Sequence, residues 1–183
     1  MKIQKLLLLL IFIITLASCS SDDGNDIPSI NDLDNGALVE IVTTADNIIF
    51  NNNLDGLLDT IVEYRDSESG SLLDDFNIYI TFLDNSDNTG DSTNALVREE
   101  VLLRTVEPTE FTLGQDGFPR HNLIITTQDF LTITNNTLDG IASGDEYIVR
   151  FELVLTDGRV FSVNNTGDNG GLTSDFNIIT TVQ

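Results

Sequence analysis

The chain has 183 residues, thirty of them acidic and eight basic, and a net charge of −22 at neutral pH. So negative a surface repels phosphate backbones and anionic head groups, which excludes nucleic-acid binding and a peripheral grip on acidic lipid. Apolar residues make up 40% of the sequence and fall in short periodic runs, so the acidity does not mark a disordered tail.

Residues 1–18 carry the pattern of an export signal. Lys2 and Lys5 form a positive start, and residues 6–16 are apolar except for Thr15. That run makes roughly 16 Å of helix, about half of what a bilayer span requires. It reads as a signal-peptide core and not as a permanent span. Leu16-Ala17-Ser18-Cys19 then resembles the lipobox of bacterial lipoproteins, in which the cysteine sulfur receives a diacylglycerol before cleavage. The resemblance implies lipidation of Cys19 with three fatty acyl chains of the palmitate kind, a stable anchor where one chain is marginal. Cys19 is the only cysteine. A lone thiol in an exported protein has no internal disulfide to form, which agrees with a lipid attachment point. Cleavage removes both lysines and leaves six arginines against thirty acids, a net charge of −24.

Residues 19–35 read as a flexible acidic tether. Ser20-Ser21-Asp22-Asp23-Gly24-Asn25-Asp26 resembles the export signal behind the lipidated cysteine in surface lipoproteins of the Bacteroidota. This implies the outer face of an outer membrane, with the periplasmic face as the alternative. The same composition also suits a solvated spacer that holds a domain off the bilayer.

Residues 36–183 read as one all-β domain. Short β-branched and aromatic runs, separated by Asn, Asp, Ser, Thr and Gly, predict an antiparallel β-sandwich of seven to nine strands. The predicted strands cover 37–43, 57–65, 75–83, 96–106, 122–126, 146–155, 159–164 and 175–182, with 47–50 as a further short one. Phe76, Ile78, Ile80 and Phe82 alternate with Asn77, Tyr79 and Thr81, as a half-buried strand requires. Tyr147, Val149, Phe151, Leu153 and Leu155 do the same, with Arg150 and Glu152 pointing out. Thr126-Thr127-Gln128-Asp129 offers the start of a short helix, with an acid three residues after its cap and Phe130 and Leu131 packing inward.

The hairpin between 146–155 and 159–164 has a register that the sequence decides. A two-residue loop would turn Phe161 and Val163 to the face of Arg150 and Glu152. A three-residue loop, Thr156-Asp157-Gly158, pairs Leu153 with Phe161 and Phe151 with Val163, so that all four face the core. That loop needs a left-handed residue last, and Gly158 supplies it.

Tyr64-Arg65-Asp66, Asp75-Phe76-Asn77-Ile78-Tyr79-Ile80 and the run from Arg150 to Phe161 resemble a group of uncharacterised Bacteroidota surface lipoproteins. The resemblance implies an immunoglobulin-like sandwich. Some lipoproteins of this kind accompany glycan-uptake systems of the starch-utilisation type, and no catalytic or binding residue carries over.

Chemistry-bearing patterns are few. His121 is the only histidine, no Gly-x-Ser-x-Gly elbow presents a serine, and the only cysteine belongs to the lipobox. Zinc, which needs several His or Cys ligands, is excluded. Sugar-stacking aromatics are scarce: there is no Trp, and of Tyr64, Tyr79 and Tyr147 only Tyr79 is predicted to face solvent. Calcium is the one cofactor the sequence admits. Asn51, Asn53 and Asp55, followed by Gly56 and Asp59, reproduce the first half of a calcium-binding loop, although Val62 stands where a bidentate Glu is expected. The competing reading is turn chemistry.

Three functions stay open at this point. The first is a non-catalytic surface lipoprotein, membrane-bound through its lipid, acting as a binding or accessory module for other envelope proteins or a glycan. The second is an adhesin-type structural module stabilised by calcium. The third is a carboxylate-based hydrolase.

Overall fold

The computed structural model describes residues 36–85, 96–163 and 175–183. Among them, ten strands and one α-helix follow in chain order: β1 (Ala37–Ile48), β2 (Leu57–Asp66), β3 (Leu73–Asp84), β4 (Leu96–Val97), β5 (Val101–Val106), β6 (Thr112–Leu113), β7 (Pro119–Thr126), α1 (Thr127–Ile133), β8 (Glu146–Leu155), β9 (Val160–Ser162) and β10 (Asn177–Thr181). They form two sheets whose strand pairs are all antiparallel. One has the order β1-β2-β7-β6; the other runs β10-β8-β3-β4, with β5 also on β3 and β9 also on β8. The chain is an all-β sandwich.

Period-two alternation builds the core. Phe76, Ile78, Ile80 and Phe82 of β3 and Tyr147, Val149, Phe151 and Leu153 of β8 are fully buried. Leu58, Val62 and Tyr64 of β2 and Leu123 and Ile125 of β7 meet them from the other sheet. Each such side chain contributes about 1.5–3 kcal/mol of apolar transfer. Phe82, Tyr147 and Phe130 form a chain of tilted ring contacts at 5.0 and 4.7 Å, which plugs one end of the sandwich.

Helix α1 starts as the sequence indicates. Thr126 Oγ1 accepts from the Asp129 N–H, the Asp129 carboxylate accepts from the Thr126 N–H, and Phe130 and Leu131 are buried. β-Branched Thr132 and Ile133 and the cap at Thr134 close it after seven residues.

The hairpin register is Leu153 opposite Phe161 and Val154 opposite Val160, and Gly158 has φ +84°. Phe161 is half-buried against the core. Val163 does not follow: β9 ends at Ser162 and Val163 is 47% exposed. Its place opposite Phe151 is taken by Phe176, whose carbonyl accepts the Phe151 N–H at 2.8 Å and whose side chain is buried.

Two further expectations change. The strand expected over 96–106 is broken between β4 and β5, because Arg98, Glu99 and Glu100 offer nothing to bury. Residues 47–50 form no strand of their own; Asn47 and Ile48 finish β1, and Ile49 makes an isolated parallel bridge to Val182.

Candidate functional site

Two bulges in β1, between Ile41 and Thr43 and between Thr44 and Asp46, govern the outer face of the four-stranded sheet. Thr44 lies opposite Thr60, which is buried, and their hydroxyls approach to 3.4 Å. Strict alternation would send Asp46 inward as well. The extra residue at Ala45 reverses that and sets Asp46 opposite Asp59. Directly opposed residues in an antiparallel pair have Cβ atoms about 5 Å apart, and like charges there repel. Among the described residues no arginine pairs with Asp46, Asp55 or Asp59.

Beside this pair, where β1 passes into β2, lies a cleft of about 150 Å³ lined by Asp46, Ile48, Phe50, Asp55, Gly56 and Leu57. Gly56 is what lets the loop close on itself. A Cβ there would lie 2.4 Å from the Ile48 carbonyl oxygen and 2.9 Å from Ile49 Cα. Its own carbonyl accepts from the Thr127 N–H at 3.0 Å and from Thr127 Oγ1 at 2.7 Å, tying the loop to the first turn of α1.

The residues of the calcium-loop pattern separate in this geometry. Asn51, Asn53 and Asp55 sit on the loop; the Asp55 N–H donates to Asn53 Oδ1 at 2.9 Å, an Asx turn. Asp59 lies inside β2, about 13 Å farther along an extended chain, where a coordinating loop would instead curl back. Among the described residues no three His, Cys, Asp or Glu side chains converge on a metal position. The carboxylate that does accompany Asp59 is Asp46, which sequence reading missed because a bulge leaves no signature in composition. Cys19 lies outside the described residues.

The outer face of the other sheet holds Tyr79, Arg150 and Glu152 as alternation demands. Arg150 makes a two-pronged bond to Glu100 at 2.7 and 2.8 Å and reaches Glu152 at 3.3 Å. Its guanidinium carbon stands 4.2 Å from the centre of the Tyr79 ring, whose hydroxyl donates to Glu152 at 3.2 Å. Burial, and then the Glu152 carboxylate, push the Tyr79 phenol above its ordinary pKa. Half-buried Tyr79 therefore has one ring face covered by Arg150.

Glu63, on the outer face of β2, is fully buried beneath Arg65 and Arg120, with Arg120 Nε 2.6 Å away. Asp116 accepts from Arg120 at 3.1 Å, and Arg65 stacks 5.0 Å over Phe118. This network clamps the β6–β7 turn onto β2. His121 sits at its margin, with Nδ1 3.4 Å from the Glu110 carbonyl and its ring 5.4 Å from Phe111; burial lowers its pKa.

No protein-family model and no curated protein matches the sequence. Among solved structures, the crystal structure of Spo0M, a sporulation control protein from Bacillus subtilis, is similar at a TM-score of 0.39 and 12% identity. The match covers 80% of this chain and 49% of that one, so the chain spans about half the length of Spo0M.

Proposed function

We propose that this chain is a non-catalytic lipoprotein of the outer-membrane surface, whose β-sandwich serves as a binding or accessory module in an envelope complex, glycan uptake being the working context. One observation carries the reading: Leu16-Ala17-Ser18-Cys19 directly follows a signal-peptide core, and its cysteine is the only one in the chain. The acidic stretch behind it supports the surface location. Native protein should partition into detergent, while Cys19→Ser should remain in the aqueous phase after export. A native chain recovered wholly soluble with a free thiol overturns the reading.

The second reading, a calcium-stabilised adhesin module, draws support from the Asp46–Asp59 pair, which has no cationic partner among the described residues. Thermal melts in calcium and in chelator separate the two. Calcium held at 100 times its Kd adds about 2.7 kcal/mol to the folded state, and coincident melts reject the calcium module.

A further inference from the structure

An edge strand presents a row of unpaired N–H and C=O groups, which natural sheets blunt with bulges, charges, short strands or a covering segment. Most edges of this sandwich are blunted. β1 is twice bulged, and residues 175–179 lie along it: the Asp175 N–H donates to the Val39 carbonyl and Asn47 Nδ2 to the Ile179 carbonyl. That contact also occupies β10. β5 is bulged opposite Ile78 and Tyr79 and carries Arg104, while β4, β6 and β9 are two or three residues long.

β7 is the exception. β6, which the chain enters from the other sheet, covers only Pro119 and Arg120. Among the described residues no strand pairs with residues 122–126 on that side. The β2–β7 register runs unbroken, and the stretch Asn122-Leu123-Ile124-Ile125-Thr126 contains no charge and no proline. Leu123 and Ile125 anchor it in the core, while Ile124 is 54% exposed on the outer face. Apart from the Thr126 N–H, which the Asp129 carboxylate accepts, the strand is held straight, open and apolar.

The surroundings state what fits there. Ile124 lies opposite Asp59, and Asp59 lies opposite Asp46, so a row crossing the sheet from β1 through β2 to β7 reads Asp46, Asp59, Ile124. A strand added beyond β7 would set one side chain on Ile124, and a long cationic side chain would reach across it toward Asp59, about 10 Å away, with Asp46 adding to the negative field behind. A second copy of this chain would instead bring another strongly negative surface against the first.

We propose that the free edge of β7 is a strand-addition site for an extended segment of another protein in which arginine or lysine alternates with apolar residues. Backbone bonds supply the affinity and the Ile124–Asp59–Asp46 row supplies the selection. The inference deepens the binding-module reading and rests on it only in taking the domain to have a protein partner.

The test uses the full chain and an octapeptide of alternating arginine and valine, read by amide hydrogen exchange and by fluorescence anisotropy of the labelled peptide. The peptide should slow exchange within residues 122–126. An arginine–proline octapeptide of equal charge, which lacks strand donors at alternate positions, should not. Ile124→Lys should weaken binding about tenfold or more while leaving the melting temperature near that of the native chain. Asp46→Asn with Asp59→Asn should reduce both affinity and its dependence on salt. Equal protection by the two peptides, or protection of Val101–Val106 in place of β7, overturns the proposal. Protection of 122–126 that rises with protein concentration alone assigns the edge to a second copy and overturns it too. None of these outcomes alters detergent partitioning, so the anchoring reading stands or fails separately.

Discussion

Tyr64 donates its hydroxyl to Asp66 Oδ2, two residues along the same strand, where β2 leaves the first sheet for the second. The same carboxylate accepts the N–H groups of Glu68 and Gly70 at 2.7 Å each and of Leu72 at 2.9 Å. One buried acid thus organises the whole crossing from β2 to β3. Asp66→Ala should destabilise the fold by about 3 kcal/mol, since several donors lose their acceptor at once. Urea unfolding of the two proteins measures this, and a loss below about 1 kcal/mol would show that water replaces the carboxylate.

Gly56→Ala is expected to cost about 2 kcal/mol, because the added methyl meets backbone atoms of Ile48 and Ile49 and no flexible side chain can yield. The same change should release the Thr127 bonds to the Gly56 carbonyl. Faster amide exchange at Thr127 is the accompanying signature, and a melt unchanged from the native protein would contradict the crowding.

In the β8–β9 turn the cost lies in the backbone alone. Gly158 has φ +84° and open space around its Cα, so a side chain there meets no atom but must adopt the left-handed region. Gly158→Val should lose about 1–2 kcal/mol or more. Asp157→Ala removes only exposed contacts to Arg159 and should stay within about 0.5 kcal/mol. Equal losses would contradict the turn assignment.

All three tyrosines ionise above their ordinary range. Burial raises Tyr64 and Tyr147 first of all, and the Asp66 carboxylate raises Tyr64 further. Above about pH 10, then, the unfolded chain releases protons that the folded chain keeps, so stability is fully present below that pH and falls as pH rises beyond it. Ultraviolet titration of the native protein should show little tyrosinate until unfolding begins. The absence of Trp leaves that signal clean. A reversible step near pH 10 in folded protein that exceeds the signal of one tyrosine would contradict the burial of Tyr64 and Tyr147.

The sandwich was legible wherever a period of two met a sharp turn: β3, β8 and the hairpin register all follow from side-chain alternation and loop length. What escaped depends on residues distant in sequence or on backbone irregularity. Val163 was expected inside because nothing nearby reveals that Phe176 returns to its row. Asp46 went unnoticed because a bulge, not a pattern, turns it beside Asp59. The calcium-loop letters at Asn51, Asn53, Asp55 and Asp59 match a spacing, but spacing does not record that the last of them lies in an extended strand. β7 begins at Pro119, three residues before the strand predicted over 122–126; Pro119 stands opposite two-residue β6, where a missing donor is tolerated.

β9 and β10 lie end to end along one side of β8, the first finishing opposite Glu152 and the second starting opposite Arg150. They are in effect one strand of the sheet, interrupted by an excursion whose two ends stand about 7 Å apart along the row. With Asp175 and Phe176 kept, doubling the length of the connection costs only about 0.6 kcal/mol of closure entropy. A foreign loop grafted after Val163 and before Asp175, which spares the buried Phe176 and the Asp175 bond to Val39, should leave the sandwich folded.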